Sequence, residues 1–239
     1  MRNSDGVMVR LQRGERDNGG NGNGEGEMSR VNLAVLVSGG GTTLQNFIDK
    51  IKEGTLNAEI TCVVSSSDKA YALERARKNS IPHTAIRRSN FSDEVAFSKA
   101  IYKWIEQFKP GLITLAGFLK RIWVAPRWQN RIMNIHPALI PAFCGEGFYG
   151  MRVHKAVIDY GVKVSGCTVH FVDNEYDHGP IIIQKTVPVY PDDTPEALQK
   201  RVFEKECEAY PEAINLYGSG RLKVVGRKVF VLPEGCACG

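Results

Sequence analysis

The feature that most constrains the fold is a regular alternation of short apolar runs with segments of helical periodicity. The first apolar run, residues 31–37, reads VNLAVLV and leads into SGGGTT at residues 38–43. A run with so little polar interruption is typical of a strand that helices cover on both faces. Residues 44–51 then show the spacing of an amphipathic helix. This order predicts a buried strand, a glycine-rich turn and a helix.

The same alternation continues through the first half of the chain. Strands are predicted at 59–65, 83–86, 111–116 and 132–135, and helices at 70–78 and 97–108 with a short one near Pro126. Strands separated by roughly ten to twenty residues of helix predict a doubly wound, mostly parallel α/β sheet of the Rossmann-like kind.

The second half of the chain predicts an antiparallel part. A short helix at 153–160 precedes two strands, 164–172 and 181–189, which a turn-rich connection joins. A connection so short favours antiparallel neighbours. Thr194-Pro195-Glu196 has the form of a helix start and opens a long helix to about Tyr217, and a hairpin follows at 222–225 and 228–232.

Composition narrows the class of protein. The chain has 239 residues and a net charge of +5, without the concentrated basic stripe of a nucleic-acid binder, and this balance suits a small anionic substrate. No apolar run is long enough for a membrane span. Six cysteines at scattered spacing favour free thiols in a reducing cytosol over a disulfide framework, so we expect a cytoplasmic protein. The pair Cys236 and Cys238 has no assigned role.

The two ends of the chain differ from the rest. Residues 1–30 hold seven glycines, five arginines and five acids, with hardly any apolar content, which predicts a disordered leader. Met28 directly precedes the first strand and is an alternative start of translation. We therefore expect three parts: the leader 1–30, a domain at 31–225, and a terminal strand with a cysteine-containing tail at 226–239.

The glycine-rich turn is the first candidate binding site. Gly40, Gly41, Thr42 and Thr43 lie between a strand and a helix, where backbone amides and the helix dipole favour a phosphate. The turn lacks the lysine of a Walker loop and the third glycine of a dinucleotide fingerprint, so neither a nucleoside triphosphate nor a dinucleotide is implied. The alternative is a turn that only lets strand and helix pack closely.

The second candidate site is at the end of the strand 132–135. Asn134 and His136 point to one face of the strand, since side chains alternate, and together they suit an oxyanion. Asp177, in a turn after a later strand, is a candidate acid, and an ordinary turn aspartate is the alternative. His170 is expected to pack or to orient its neighbours. His83, His154 and His178 are expected to be surface or helix residues, and no spacing indicates a metal.

Five motifs in order carry a family resemblance: VLVSGGGTTLQ, LAGFLKRI, MNIHPALIPAF, GCTVHFV and DNEYDHGPIIIQ. From about Val31 to Val225 the chain resembles the phosphoribosylglycinamide formyltransferases, folate-dependent enzymes of purine synthesis. The resemblance implies that Asn134, His136 and Asp177 are catalytic. It maps a phosphate loop onto Gly41, Thr42 and Thr43, a sugar contact onto Glu206, and folate binding onto Leu119, Lys120, Arg121, Ile122 and Asn134.

The resemblance also implies a reaction. The primary amine of glycinamide ribonucleotide attacks the formyl carbon of 10-formyltetrahydrofolate, the cosubstrate, without a metal. Asn134 and protonated His136 donate hydrogen bonds to the formyl oxygen, and Asp177 supports the imidazolium and relays a proton through water. Two alternatives stay open: a 10-formyltetrahydrofolate deformylase, and a non-catalytic module that binds a phosphate ligand. The partners expected are small molecules, and a monomer and a homodimer are both compatible with the sequence.

Three departures from the family pattern stand out. Thr42 and Thr43 replace a serine and an asparagine. The position of a family arginine falls at about Glu94, with Arg87 and Arg88 just upstream. Residues 143–151, FCGEGFYGM, make the connection after His136 about five residues longer than usual. Three glycines and two adjacent aromatics there suit a mobile flap over the substrate, and a passive surface insertion is an equal alternative.

Overall fold

A computed structural model describes residues 30–235, which contain nine strands, five α-helices and three short 3₁₀-helices. The predicted leader, apart from Arg30, and the pair Cys236 and Cys238 lie outside these residues. The strands are β1 (Val31–Val37), β2 (Ala58–Ser65), β3 (His83–Ala85), β4 (Leu112–Leu115), β5 (Ile132–His136), β6 (Val164–Phe171), β7 (Ile181–Pro188), β8 (Leu222–Val225) and β9 (Lys228–Val231). The helices are α1 (Thr42–Lys52), α2 (Tyr71–Lys78), α3 (Glu94–Ile105), α4 (Met151–Tyr160) and α5 (Pro195–Gly218). Within this part of the chain, no helix combines the length and the apolar character that crossing a bilayer requires.

All nine strands form one sheet, in the order β3-β2-β1-β4-β5-β6-β7-β9-β8. The five strands of the first half, β1 to β5, pair in parallel. The predicted doubly wound, mostly parallel α/β fold is therefore confirmed. The chain winds outward from β1 to β3 and then returns to β4 on the other side of β1, which makes a switch point between β1 and β4. Crevices outside the carboxyl ends of such strands are the usual binding sites of open α/β sheets.

The second half of the sheet is antiparallel where the sequence predicted it. β6 pairs with β7 in antiparallel register, and β8 and β9 form the predicted hairpin. Two further pairings could not be read from local patterns. β6 lies antiparallel to β5, and β9 joins β7 in parallel through Ile181 and Lys228. The hairpin is thus part of the same sheet.

Two apolar cores lie on the two faces of the sheet. One contains buried residues of α1, α2, α4 and α5, among them Phe47, Val157 and Tyr210. The other contains α3 with the segment after β4, among them Phe97 and Phe118. This double cover explains why β1 has almost no polar residues, since six of its seven residues are buried.

Candidate active site

A cleft of about 500 Å³ lies at the carboxyl ends of β1, β4 and β5, where the switch point predicts it. Ten of the twelve residues selected from the sequence line it: Thr42, Thr43, Leu119, Lys120, Arg121, Ile122, Asn134, His136, Asp177 and Glu206. Gly40 and Gly41 are the two that do not. Residues from five separate segments therefore meet at one site.

The N-terminus of α1 forms one end of the cleft. Gly41 caps the helix with φ 71° and ψ 35°, and no side chain bonds to the amides of the first turn. The first intrahelical bond runs from the Gln45 amide to the Gly41 carbonyl, at 2.9 Å. The amides of Thr42, Thr43 and Leu44 thus stay available, as an anion requires.

The glycine at position 41 is required on two grounds. Its φ of 71° lies in the left-handed region, and an added Cβ would lie 2.6 Å from the Ala72 Cβ. Arg75 of α2 holds the same turn from the other side, because its Nε donates to the Gly40 carbonyl at 2.9 Å and its Nη1 to the Gln45 Oε1 at 2.8 Å. The turn is therefore fixed by α2 before any ligand binds.

Asn134, His136 and Asp177 lie together at the end of β5. The Asp177 Oδ2 is 3.4 Å from the His136 Nδ1, and the Asp177 Oδ1 is 3.4 Å from the Asn134 Nδ2. His136 is 3% exposed, so the side chain presents only an edge to the cleft. The sequence placed Asn134 and His136 on one face of the strand and named Asp177 as a candidate acid, and in the structure the Asp177 carboxylate contacts both.

His170 of β6 fixes the orientation of the Asn134 amide. The His170 Nδ1 donates to the Phe171 carbonyl at 2.8 Å, so in the neutral ring Nε2 is an acceptor. Nε2 receives the Asn134 Nδ2–H at 3.2 Å. Burial lowers the pKa of His170, and this favours the neutral ring. The expectation that His170 orients a neighbour agrees with this geometry.

The turn after β6 supplies Asp177 in a strained backbone conformation. Asp177 has φ 49°, in the left-handed region where few residues other than glycine lie. Gly179 keeps the turn against the end of β6, since an added Cβ would lie 1.8 Å from the Phe171 carbonyl oxygen. The strain at Asp177 is thus held by close backbone packing two residues away.

The long connection after β5 contacts two of these three groups, His136 and Asp177. The His136 Nε2 donates to the Phe143 carbonyl at 2.8 Å, and the Gly145 amide donates to the Asp177 Oδ2 at 3.0 Å. Phe148 and Tyr149 line the cleft and are 36% and 45% exposed. The connection thus covers His136 and Asp177 and presents two exposed aromatic rings at the mouth of the cleft.

The segment after β4 forms the other wall. Leu119, Lys120 and Arg121 are exposed, and Ile122 is buried. Arg121 donates to the Asn174 carbonyl and lies 3.5 Å from Glu94, so it ties this wall to the turn that carries Asp177. Glu94, near which the resemblance predicts an arginine, therefore has a cationic partner. Neither Arg87 nor Arg88 is among the residues that line the cleft.

The cleft contains a histidine that the sequence did not single out. His154 of α4 is 2% exposed and lines the cleft, whereas the sequence indicated only a surface or helix position. Val153 and Val157 are buried on the same helix, so the spacing to Val157 was the available signal.

Glu206 of α5 is half-buried, and its burial raises its pKa to about 7.

Two further properties bear on the chemistry. Within residues 30–235, no group of three or more histidine, cysteine, aspartate or glutamate side chains is arranged to hold a metal ion. Cys62, Cys144, Cys167 and Cys207 are all free thiols. Burial raises the pKa of Cys62 and of Cys167 to about 12, so these two stay uncharged.

The chain is similar to known proteins in sequence and in fold. The family described as formyl transferase matches residues 31–214. Phosphoribosylglycinamide formyltransferase of Haemophilus influenzae is 37% identical over 80% of this chain and 89% of that protein. The trifunctional purine biosynthetic protein adenosine-3 of Gallus gallus is 41% identical over 84% of this chain, which spans only 20% of that much longer protein.

Solved structures of formyltransferases are also similar to this chain. Glycinamide ribonucleotide transformylase 1 from Symbiobacterium toebii has a TM-score of 0.79 and 38% identity, with 85% of this chain and 95% of that chain covered. A formyltetrahydrofolate deformylase from Pseudomonas syringae pv. tomato has a TM-score of 0.75 but only 20% identity, over 86% of this chain and 67% of that chain. The second likeness concerns the fold alone.

Proposed function

The chain belongs to the formyl transferase family, and from this membership we propose that it transfers the formyl group of 10-formyltetrahydrofolate to the amine of glycinamide ribonucleotide, in purine biosynthesis. The observation that carries the proposal is the meeting of Asn134, His136 and Asp177 in one cleft with the free amides at the start of α1. The first set suits acyl transfer, and the second suits a phosphate-bearing acceptor.

The hydrogen-bond donors of the site suit the formyl oxygen. The His136 Nε2–H donates to a peptide carbonyl, that of Phe143, and an N-formyl group presents a carbonyl of the same kind. When that carbonyl is the formyl oxygen, the donor meets the negative charge that develops during attack. One N–H of the Asn134 amide makes only a long contact, 3.4 Å from Nδ2 to the Asp177 Oδ1. We assign this N–H as the second donor to the formyl oxygen.

Asp177 has two roles in the proposal. Its carboxylate faces the His136 Nδ1, so a protonated His136 ring donates its Nδ1–H to Asp177 and directs its Nε2–H toward the formyl oxygen. In the reaction the attacking amine loses a proton while the departing nitrogen of the donor gains one. We assign the transfer of this proton to Asp177 together with a water molecule.

The two walls of the cleft suit two different substrates. The wall with the start of α1 and Glu206 belongs to the face that carries α1, α4 and α5, and we assign the nucleotide to it. The wall from Leu119 to Ile122 continues into Phe118 and Val172, which offer apolar area to the rings of a folate. Both substrates are small molecules, and we propose a cytosolic monomer or homodimer.

The experiment that tests the proposal is a spectrophotometric assay with 10-formyl-5,8-dideazafolate, run with and without glycinamide ribonucleotide. Turnover that requires the amine is the expected result. Turnover independent of the amine indicates a deformylase instead. No turnover under either condition, in a protein that still binds a phosphate ligand and whose binding His136→Ala leaves intact, indicates a non-catalytic module.

A further inference from the structure

His154 is a buried polar side chain in the cleft that the proposed reaction does not use. It lies on α4, is 2% exposed, and its Nδ1 is buried with no hydrogen-bond partner in the part of the chain that the structure describes. A buried polar atom without a partner is energetically unfavourable. Because the residue lines the cleft and Nδ1 is buried, Nε2 is the ring nitrogen left to meet a ligand.

The ring of His154 is uncharged near neutral pH. Burial, followed by the proximity of His136, lowers the pKa of His154 to about 4. A neutral imidazole offers one N–H donor and one acceptor. It is therefore suited to a neutral polar group on a ligand, and poorly suited to a phosphate.

Glu206 has similar properties on the neighbouring helix. It lines the same cleft and makes no hydrogen bond or ion pair among the residues from 30 to 235. Its raised pKa, about 7, reflects burial alone. α4 packs against α5, and both contribute to the core on one face of the sheet. His154 and Glu206 thus lie on one wall of the cleft. Neither side chain has a hydrogen-bond partner among the described residues, and burial disfavours the charged form of each.

Hydroxyl groups match this pair of side chains. A hydroxyl is both donor and acceptor, so it pairs with either tautomer of imidazole and with either state of a carboxyl group. The same face of the sheet carries the anion site at the start of α1. Thr42, Thr43, His154 and Glu206 line one cleft, so a ribonucleotide with its phosphate at α1 has its sugar in the same cleft as these two side chains.

We propose that His154 binds a sugar hydroxyl of the acceptor nucleotide through Nε2, beside the hydroxyl contact assigned to Glu206. The proposal rests on the proposed function, because it takes the acceptor to be a ribonucleotide. His154 is a binding residue in this account and takes no part in proton transfer. Its replacement therefore affects recognition of the sugar and not the formyl donor.

The test combines a change in the protein with a change in the substrate. The full chain and its His154→Phe variant are assayed with glycinamide ribonucleotide and with its 2′-deoxy and 3′-deoxy analogues. In the wild type, removal of the contacted hydroxyl lowers kcat/KM roughly three- to tenfold, the range for one neutral hydrogen bond. In His154→Phe, the same analogue and glycinamide ribonucleotide should have equal kcat/KM values. The KM for the folate donor stays unchanged.

Two control variants separate binding from structural damage. Val153→Ala truncates a buried neighbour on α4 that does not line the cleft. It should lower stability but keep the full decrease in kcat/KM for the deoxy analogue. His154→Gln keeps a donor and an acceptor and restores part of the penalty. His154→Leu replaces His154→Phe if the latter does not fold.

The outcomes are distinct. Suppose that wild type turns over the ribonucleotide, and that removal of either hydroxyl lowers kcat/KM by the same factor in wild type and in His154→Phe. The hydroxyl contact is then overturned while the proposed function stands. If wild type does not turn over the ribonucleotide, the proposed function and the hydroxyl contact are both contradicted.

Discussion

Asn134 is held by two acceptors at once, and this decides what its carboxamide presents to a ligand. Its Nδ2 donates to the His170 Nε2 at 3.2 Å and to the Asp177 Oδ1 at 3.4 Å. A flipped amide would turn its oxygen toward a carboxylate and an imidazole acceptor, which repel it. The orientation of one amide thus depends on the tautomer of a histidine on the next strand.

At the scale of these residues, two substitutions should slow the chemical step. Asn134→Ala and Asp177→Asn are each expected to lower kcat by about 100-fold or more, since each removes a donor or the group that positions one. Binding of a phosphate ligand should stay close to wild type, because the start of α1 is unchanged. Single-turnover kinetics and calorimetry with ribose 5-phosphate measure the two quantities. An equal loss of binding in both variants would assign these residues to the structure and not to the chemistry.

The buried ring of His154 predicts a pH dependence of stability. Its folded pKa of about 4 is below the unfolded value of 6.5, so the unfolded chain binds the proton more readily. The contribution of His154 is complete above about pH 6.5 and is lost as the pH falls toward 4, by on the order of 3 kcal/mol.

The measurement compares two proteins, because Glu206 acts in the opposite direction over a similar pH range. Its raised pKa favours the folded state at the lower pH. The free energy of unfolding of wild type minus that of His154→Phe should therefore be recorded by urea denaturation between pH 4 and 7.5. We expect this difference to decrease as the pH falls. A constant difference would show that His154 titrates alike in both states.

At the scale of elements, the junction of β1 and α1 offers a matched pair of glycines. Gly41→Ala is expected to lower the free energy of unfolding by roughly 1 to 3 kcal/mol, because the added Cβ meets Ala72 in a left-handed backbone. Gly40→Ala has open space and no such φ, and should change stability by less than about 0.5 kcal/mol. Urea denaturation measures both, and equal losses would refute the steric account.

The connection from Phe143 to Gly150 yields a second prediction at this scale. Phe148 and Tyr149 are exposed at the mouth of the cleft, so a flap that closes over substrate uses them, whereas a passive insertion does not. The double variant Phe148→Ser/Tyr149→Ser should lower kcat/KM about tenfold for a flap, with the free energy of unfolding nearly unchanged. Steady-state kinetics and thermal denaturation measure both. Unchanged kinetics would establish the passive insertion.

At the scale of the whole molecule, the sequence predicted what local patterns determine. Apolar runs and turn residues predicted the strands and helices in order, and the strand end at His136 predicted the edge where ligands bind. The pairing of β9 with β7 has no local signal, because it depends on where the chain travels after α5. His154 was overlooked for a related reason, since its place in the cleft arises only when α4 packs against α5.

The extent of the cleft leads to a prediction about the residues before the first strand. Among residues 30–235, which the structure describes, those that line the cleft all lie between Thr42 and Glu206. A chain that starts at Met28 should therefore keep kcat, KM and thermal midpoint close to those of the full chain. Parallel assays of the two proteins check this, and a large loss in the shorter chain would give the leader a role in activity.

The contacts of Phe143 and Gly145 have a consequence for inhibition. One short stretch of backbone presents a carbonyl to His136 and an amide to Asp177, at 2.8 Å and 3.0 Å. A small molecule with a carbonyl and an N–H at the same separation would displace the protein's own backbone from both side chains. This stretch lies in the connection 143–151, which the family resemblance predicts to be longer than usual, so we expect such a peptidomimetic to discriminate between this enzyme and any relative with a shorter connection.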